Sequence, residues 1–341
     1  MKKLRYLATL ALVAVAASHV LAADWMARLS PDTRVCSLSI PGAHDAATGN
    51  GFEGVDSVVG ERYARTQELD LSQQFAAGVR AFDLRPAQCG NELRIFHGTL
   101  ATRLSYAHAL RLLADSLKAN PASLVVVVQR HEDDAKGAGY DQSRWAQLVD
   151  STLHELGPVL IDYRPGLTVG EMRGHILVLS RDRYGQVPRG GYIDNWDDGG
   201  SWNAPQGARV AGVQGGERLY VQDYYNTTME GAMATKLDLM RQFLVHAATT
   251  PLRGSLWVVN HCSAFTRDPE APLPGNTTSN GYRLNAASTN AYMARCVVAH
   301  AGLVMMDYAG VDASNGIKVM GKTALQAVIE SNFTASNDKK R

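Results

Sequence analysis

The 341-residue sequence has few cysteines and no excess of charge of either sign. Its 34 basic and 33 acidic side chains leave a formal net charge of +1, which is not the strong charge that binding to nucleic acids or anionic membranes favours. There are four cysteines, Cys36, Cys89, Cys262 and Cys296, and they form no Cys-x-x-Cys pair, which argues against a structural zinc site. We therefore expect no nucleic-acid partner, and we expect any membrane contact to be local.

The chain also lacks an apolar run long enough to cross a membrane, although a shorter run lies near its start. A span needs about 18 apolar residues, and the run from Leu7 to Ala17 ends too soon. The basic residues before this run and the small residues after it are typical of a signal peptide. We expect residues 1–22 to be removed and residues 23–341 to form the catalytic domain of an exported protein, either periplasmic or secreted.

Export has a consequence for the cysteines. In an oxidising compartment up to two disulfides can join four cysteines, and three pairings would achieve this. The spacing of the cysteines does not choose among these pairings.

Several catalytic motifs are absent. The sequence has no Gly-rich loop ending in Gly-Lys-Ser/Thr and no Gly-x-Ser-x-Gly elbow. It therefore indicates neither phosphate binding by such a loop nor serine acyl transfer. The stretch from His131 to Asp134 offers metal-ligand side chains, but no His-x-x-x-His or His-Glu-x-x-His pair lies around it. We interpret this stretch as a polar strand end that runs into a glycine-containing loop.

Strands and helices alternate along the chain, without an internal repeat or a Pro/Ser-rich linker. Several predicted strands are continuous apolar runs, as expected for strands buried on both faces of a parallel sheet. The eight predicted strands are Leu38–Ile40, Val79–Leu84, Leu93–Phe96, Leu124–Val128, Ile176–Leu179, Leu219–Val221, Leu256–Val259 and Leu303–Met306. The predicted helices are Leu69–Ala77, Ser105–Ala119, Ser143–Leu156, Met229–Ala248, Ala286–Ala299 and Thr323–Phe333. This pattern predicts a single-domain α/β protein with a TIM-like (β/α)8 barrel.

Two regions do not fit a regular barrel. Only about eight residues separate the second and third predicted strands, fewer than a parallel crossover needs, so part of the ring should be irregular, antiparallel or open. The segment 184–216 is the longest without a predicted element, and it contains Tyr192, Trp196 and Trp202. A loop of this length is usually functional or disordered. The sequence leaves open whether this segment covers the site, contacts lipid or is a surface flap.

Polar and charged residues follow the predicted strands. The carboxyl ends of barrel strands meet at one face, where the active sites of such barrels lie, so we expect these side chains to converge. They are His44 and Asp45, Asp83 and Arg85, His97, Gln129 to Glu132, Arg181 and Asp182, Gln222 and Asp223, Asn260 and His261, and Asp307.

Two of the histidines suit an in-line phosphoryl transfer. His44 can take a proton from an attacking hydroxyl while His97 protonates the leaving oxygen, and acid–base catalysis of this kind contributes roughly 10²–10⁴-fold. The Arg85 guanidinium would stabilise charge that develops on phosphate oxygens. The carboxylates of Asp45 and Asp307 are available to hold the imidazoles. The nearest alternative from residue types alone is metal-assisted hydrolysis.

Three stretches resemble the catalytic X region of the bacterial phosphatidylinositol-specific phospholipases C. They are Ser-Ile-Pro-Gly-Ala-His-Asp at 39–45, Gly-Val-Arg-Ala-Phe-Asp-Leu-Arg at 78–85 and Phe-His-Gly at 96–98. Weaker matches follow in the same order at 179–181, 221–225, 259–265 and 306–308. The resemblance implies a distorted, incompletely closed TIM barrel. It also implies cleavage of phosphatidylinositol by its own inositol 2-hydroxyl, giving diacylglycerol and inositol 1,2-cyclic phosphate.

The resemblance implies roles for individual residues. By matching motifs, His44 would be the general base, oriented by Asp307. His97 would be the general acid, oriented by Asp45. The residues that would hold the inositol hydroxyls are Arg181, Asp223 and Tyr225, with the tyrosine ring stacked on the inositol.

Arg85 bears on the metal requirement. By the resemblance it would bind the phosphate, with Asp83 in the same cluster. Calcium-dependent relatives carry an acidic residue at the position that resembles Arg85 and an Asn at the position that resembles Asp45. A guanidinium in place of a calcium ligand supplies positive charge and repels the ion. We therefore expect a monomeric enzyme that uses no metal or other cofactor and contacts the membrane surface only transiently.

The identity of the substrate is less constrained than the chemistry. Relatives with Lys-Lys-Glu after the fourth strand use a lysine there, whereas this chain has Gln-Arg-His-Glu at 129–132, so contacts with inositol would differ. Phosphatidylinositol is favoured, and glycosylated inositol phospholipids are left open. One alternative is a glycerophosphodiester-type phosphodiesterase, but the Asp83-x-Arg85 arrangement does not provide its paired metal-binding glutamates. A second alternative is a non-catalytic lipid- or carbohydrate-binding barrel. Loss of His44 or His97 would have indicated such a protein, and both residues are present.

Overall fold

The computed structural model describes residues 25–54, 56–137, 139–196, 208–267 and 281–334. The predicted signal peptide lies outside the described residues, as does the part of segment 184–216 that contains Trp202. Among the residues that the structure covers, no helix has both the length and the apolar character needed to cross a bilayer.

The described ranges contain twelve strands and eight α-helices. The strands are β1 (Ser39–Ala43), β2 (Ala81–Leu84), β3 (Pro86–Cys89), β4 (Glu92–His97), β5 (Leu100–Ser105), β6 (Val125–Gln129), β7 (Ile176–Ser180), β8 (Gly191–Asp194), β9 (Arg209–Gly212), β10 (Gly215–Gln222), β11 (Leu256–His261) and β12 (Gly302–Met306). The helices are α1 (Asp56–Tyr63), α2 (Leu71–Ala77), α3 (Tyr106–Ala119), α4 (Gln142–Glu155), α5 (Val169–Met172), α6 (Ala232–Thr249), α7 (Gly281–Cys296) and α8 (Gly321–Thr334).

A closed barrel forms the centre of the fold. Its strands follow one another around the ring in the order β1-β12-β11-β10-β9-β8-β7-β6-β2, and the pairing of β1 with β2 closes it. Each neighbouring pair is parallel except at β9, which runs antiparallel to both β8 and β10. The predicted TIM-like, single-domain α/β barrel is therefore confirmed. The expected irregularity takes the form of an antiparallel strand within a closed ring, not of the opening that the resemblance implied.

The prediction that segment 184–216 contains no regular element was wrong, because this segment contributes strands to the barrel. It supplies β8, β9 and the start of β10 within its described part. Tyr192 is buried on β8 because its ring packs edge-on against Tyr184, with the ring centroids 5.2 Å apart. The many glycines allow close strand contact: a Cβ on Gly216 would lie 2.5 Å from the backbone oxygen of Val210 on the paired strand.

The third predicted strand, Leu93–Phe96, is a strand but not a barrel strand. It lies in β4, the middle strand of an antiparallel sheet with the order β3-β4-β5. The reason is the short connection: after β2 the chain continues into β3 and turns back at once, since eight residues are too few for a helical crossover. The hairpin places the end of β4 beside the end of β2, where the Phe96 amide donates to the Arg85 carbonyl at 3.1 Å.

The barrel core follows from the apolar runs in the sequence. All five residues of β6, Val-Val-Val-Val-Gln, are buried, as are the five of β12. Burial on both faces favours such continuous runs, since helices cover the outside of the ring and side chains fill the inside. The helices begin at clear caps: the Asp70 side chain accepts from the Gln73 amide at α2, and the Asp141 side chain accepts from the Ser143 amide at α4.

The six predicted helices are present with ends shifted by a few residues, and α1 and α5 were not predicted. The helix predicted from Met229 is α6, which begins only at Ala232. Gly231, the residue before it, has a left-handed backbone conformation. All four cysteines are described, and the structure pairs none of them.

Candidate active site

The pairing of β1 with β12 brings together two residues that are far apart in the chain. Their register places Ala43 opposite Met306, so the residues that follow, His44 and Asp307, leave the barrel side by side. Nδ1 of His44 lies 2.8 Å from Oδ1 of Asp307, and the carboxylate is only 1% exposed. This is the geometry expected for an imidazole oriented by a buried carboxylate.

A buried glutamine locks this pair in place, and sequence reasoning missed it. The amide nitrogen of Gln67 donates to the carbonyls of His44 and Met306, each at 2.8 Å. Its amide oxygen accepts from the Ala309 amide at 3.0 Å. One side chain thus joins the ends of β1 and β12. No motif in the sequence pointed to Gln67, because its partners are backbone groups 23 to 242 residues away.

Arg85 determines which nitrogen of His44 carries the proton. A guanidinium nitrogen lies 2.8 Å from Nε2 of His44, and a guanidinium can only donate. Nε2 is therefore the acceptor, and Nδ1 carries the hydrogen that points to Asp307. The same guanidinium also contacts the carboxylates of Asp83 and Asp45, each at 2.9 Å. The Nε2 lone pair of His44 thus faces the Arg85 guanidinium.

Asp45 lies between the two histidines. Its Oδ2 is 3.1 Å from Nε2 of His44 and 3.4 Å from Nε2 of His97. The sequence suggested separate partners, Asp307 for His44 and Asp45 for His97, but the structure places Asp45 within reach of both rings. Asp45 also has a left-handed backbone with φ of 43°, an uncommon conformation for a residue other than glycine. Such strain is concentrated at functional sites.

His97 reaches the site from outside the barrel, at the end of β4. Its Nδ1 lies 2.7 Å from the carbonyl of Ala64, and that carbonyl fixes the hydrogen on Nδ1. Nε2 therefore faces the site, where it meets Asp45 and the hydroxyl of Tyr282 at 3.3 Å. Tyr282 was not among the predicted site residues, since it lies at the start of α7 and not after a strand. The ring centroids of His44 and His97 are 6.4 Å apart.

Burial and charge set the protonation of the site. Burial has the largest effect and lowers the pKa of His44 below its ordinary value. The Arg85 cation also lowers this pKa, whereas the Asp45 carboxylate raises it. Burial opposes ionisation of Asp83, yet Arg85 holds the pKa of that carboxyl well below its usual range. Burial raises the pKa of Asp307, so its ionised form depends on surrounding donors and cations. A neutral His44 beside an ionised Asp83 suits proton abstraction.

The residues predicted to hold the substrate line the same cavity as the histidines or one next to it. Asp223 and Tyr225 line the same cavity as the histidines. Arg181 lies in an adjoining polar cavity, with its guanidinium carbon 4.1 Å from the ring centroid of Trp196. The indole nitrogen of Trp196 donates to Asp223 at 3.0 Å, so this residue of segment 184–216 joins the two predicted substrate-binding residues.

His261 is a third histidine at the site. Its ring centroid lies 5.8 Å from that of His44, and its Nδ1 is 2.9 Å from the hydroxyl of Ser263. Burial lowers the pKa of His261 to about 4, so it is neutral at physiological pH. The sequence placed His261 at a strand end without assigning it a role, and the structure places its ring beside that of His44.

The cavity above these residues is amphipathic and has a volume of about 690 Å³. The charged and polar side chains that line it, which we call its floor, are His44, Asp45, Arg85, His97, Arg130, Glu132, Asp134 and Asp223. The apolar and aromatic side chains that line it, which we call its apolar wall, include Val59, Tyr63, Leu100, Phe265 and Tyr282. A molecule with a polar, anionic head and an apolar body fits such a cavity.

The donor atoms at the floor do not fit a metal ion. Among the described residues, His44, Asp45 and Asp83 form one group whose ligand atoms lie within 4.8 Å of one another. Nε2 of His44 and one carboxylate oxygen each of Asp45 and Asp83 already contact the Arg85 guanidinium, at 2.8 to 2.9 Å. A cation placed among them would meet the positive charge of Arg85. The Arg85 guanidinium therefore supplies the positive charge next to these ligand atoms.

Known proteins resemble the chain over much of its length, although no protein-family model matches it. A 1-phosphatidylinositol phosphodiesterase of Listeria monocytogenes is 27% identical over 172 residues, 47% of this chain and 49% of that relative. The enzyme of the same name from Staphylococcus aureus strain Newman is 23% identical over 295 residues, 84% of this chain and 88% of the relative. The alignment thus spans about half of the Listeria protein and most of the S. aureus protein.

The fold is similar to that of a solved structure. A phosphatidylinositol-specific phospholipase C from S. aureus superposes with a TM-score of 0.70 at 20% identity, covering 91% of this chain and 97% of that one. The resemblance predicted from the sequence motifs is therefore confirmed: in sequence and in fold, the chain is similar to bacterial phosphatidylinositol-specific phospholipases C.

The site geometry predicts how His44 titrates. We expect His44 to titrate below its ordinary pKa of 6.5, because burial disfavours the imidazolium. Asp45→Asn removes the charge that most favours the imidazolium and should lower this pKa further. Imidazole signals followed by NMR against pH measure both effects. The control is Asp115→Asn on the exposed face of α3, which should leave His44 unchanged. Titration above 6.5, or an upward shift in Asp45→Asn, would contradict the assigned electrostatics.

Proposed function

We propose that the protein is a metal-independent phosphatidylinositol-specific phospholipase C that releases diacylglycerol and forms inositol 1,2-cyclic phosphate. The observation that carries the proposal is the arrangement of two imidazoles on either side of Asp45, with Arg85 beside His44. Nδ1 of His44 contacts Asp307, and Nε2 of each ring lies within 3.4 Å of Oδ2 of Asp45. The similarity to the bacterial enzymes supports the assignment.

The first step is attack by the inositol 2-hydroxyl on phosphorus. Nε2 of His44 carries the lone pair that takes the hydroxyl proton, while Asp307 accepts the hydrogen bond from Nδ1 and stabilises the imidazolium that forms. The new bond joins the 2-oxygen to phosphorus. The low pKa of His44 keeps it unprotonated and ready to accept the proton at neutral pH.

The second part of the reaction is departure of the diacylglycerol oxygen. The bond from phosphorus to this oxygen breaks, and Nε2 of protonated His97 supplies the proton that neutralises it. Oδ2 of Asp45 lies 3.4 Å from this nitrogen and helps to orient the ring. The carbonyl of Ala64 holds the ring from behind, so the proton is directed to the cavity.

Arg85 supplies the positive charge that other phospholipases obtain from calcium. Its guanidinium is fixed by Asp83 and Asp45, so its remaining donors have a defined direction towards phosphate oxygens. Preorganised donors of this kind stabilise charge that develops on the phosphorus centre without reorganisation.

The proposal predicts the products and the metal requirement. Purified protein incubated with phosphatidylinositol in detergent micelles should yield inositol 1,2-cyclic phosphate, detected by phosphorus NMR, at the same rate with or without chelator. His44→Ala and His97→Ala should each lower the rate by at least about 10²-fold, because each removes one partner of acid–base catalysis.

The matched control is His154→Ala, which changes an exposed histidine of α4. Activity that chelator abolishes and calcium restores would refute metal independence. Cleavage of choline lipids, or glycerophosphodiester hydrolysis without a cyclic product, would refute the substrate assignment.

We also propose that the apolar wall of the cavity continues into a membrane-contact surface. Val58 on α1 is 75% exposed beside the lining residue Val59, and Leu284 on α7 is 55% exposed near Tyr282. Met229, which follows Tyr225 in the same loop, is 77% exposed. Exposed apolar side chains around the mouth of a lipid site favour transient contact with a bilayer.

This surface can be tested with Val58→Asp. Cleavage of phosphatidylinositol in vesicles should fall roughly tenfold, since about 1.5 kcal/mol of apolar burial is lost. Cleavage of a short-chain, monomeric phosphatidylinositol should not change. The control is Val245→Asp, because this exposed residue lies in the second half of α6, which returns to the opposite end of the barrel. Equal loss on both substrates would contradict membrane contact.

We further propose that the protein is exported to the periplasm or secreted as a monomer. The basic, apolar and small-residue stretches within residues 1–22 support this proposal. Protein recovered from the exported fraction should begin at Ala23, or at Asp24 if cleavage follows Ala23, as intact-mass measurement would show. Recovery of only the full-length chain from the cytoplasm would contradict export.

A further inference from the structure

A lysine is buried beneath the predicted substrate-binding side of the site. Lys236 lies on α6, with a side chain that is 0% exposed. Its ammonium makes one hydrogen bond in the described part of the chain, to Oε1 of Gln222 at 3.2 Å. No described carboxylate lies within ion-pair distance of it. Burial of an ammonium without an adjacent counter-charge is costly, so its retention calls for a specific explanation.

The partner of Lys236 is the centre of a buried network. Oε1 of Gln222 also accepts from the Tyr224 amide at 2.9 Å. Its amide nitrogen donates to Asn260 at 2.8 Å and to the carbonyl of His261 at 2.9 Å. Gln222 thus joins the ends of β10 and β11. Lys236 completes the network by holding the amide oxygen from the helix side.

The hydrogen bonds of Gln222 reach the chain segment that lines the cavity. Asp223 and Tyr225 flank Tyr224, whose amide the network fixes, and both line the cavity. The ammonium therefore influences the position of both side chains without touching the cavity.

The charge of Lys236 also acts at longer range. It favours the ionised forms of Asp223 and Asp307 against the effect of their burial. Burial lowers the pKa of Lys236 to about 8, and the carboxylates oppose that effect, so the side chain is still charged at neutral pH. The charge of Lys236 also acts on His261 and Cys262, and burial raises the pKa of the Cys262 thiol to about 12.

We propose that Lys236 is a positioning residue for headgroup binding, whose ammonium fixes Gln222 and thereby orients Asp223 and Tyr225 towards the inositol ring. It does not touch the substrate. The inference rests on the proposed function for the identity of the headgroup. Sequence reasoning gave no indication of it, because Lys236 lies within a predicted helix and not at a strand end.

The decisive variant is Lys236→Met, which keeps the length of the side chain and removes its charge and its donors. KM for a short-chain phosphatidylinositol should rise about tenfold, the loss expected for one hydrogen bond to a charged group, while kcat changes by less than about twofold. Binding of myo-inositol measured by calorimetry should weaken by a similar factor. The melting temperature should stay equal or rise, because an apolar side chain replaces a buried charge.

A second variant tests the route through Gln222. In a Gln222→Leu background, Lys236→Met should raise KM by less than about threefold, since the shared hydrogen bond is already lost. Lys118→Met on the exposed surface of α3 is the control and should leave KM and inositol binding unchanged.

The outcomes separate this inference from the proposed function. Unchanged KM and unchanged inositol binding in Lys236→Met, with a lower melting temperature, would show a purely structural role and overturn the inference alone. Wild-type protein that binds myo-inositol but does not cleave phosphatidylinositol would overturn the proposed function, and the effect of Lys236→Met on inositol binding would still decide the inference. Wild-type protein that does not bind inositol would overturn both.

Discussion

The site depends on one constraint, the parallel register of β1 against β12. Five consecutive residue pairs, from Ser39 with Gly302 to Ala43 with Met306, hold these strands together. His44 and Asp307 are 263 residues apart in the chain, and this ladder places them 2.8 Å from each other. A slip by one residue would turn one of the two side chains to the opposite face of the barrel, because strand side chains alternate. Gln67 secures the same register from the loop side.

A second feature is the concentration of charge around Arg85. Three carboxylates, those of Asp45, Asp83 and Glu132, lie within 3.6 Å of its guanidinium, at a depth where an uncompensated charge would be costly. Each ion pair reduces the cost of burying the others. The resulting cluster is rigid, and it aligns a cation and a neutral imidazole at one point of the cavity floor. The left-handed backbone of Asp45 is tolerated because this cluster holds its side chain on several sides.

The barrel alone does not complete the site. His97 comes from a small antiparallel sheet that folds over the end of β2, and Tyr282 comes from the start of a helix. Trp196 comes from the stretch that follows β8, and it joins Arg181 with Asp223. The ends of the parallel strands supply His44 and Arg85, while the additions to the barrel supply the second imidazole, Tyr282 and Trp196. The result is a cavity lined by both charged and apolar side chains.

The sequence by itself determined the barrel class and which strand-end residues meet at the cavity. Apolar runs specify buried parallel strands, and polar residues directly after them must meet at one end of the ring, so His44, Arg85 and Asp307 were identifiable without coordinates. Only the tertiary structure decided the closure of the ring through β8 and β9, whose short, glycine-containing stretches lack a continuous apolar pattern. It also decided that Asp45 lies between both histidines. Gln67 and Lys236 emerged only from the fold, since their partners are brought to them by packing across long sequence distances and leave no local pattern.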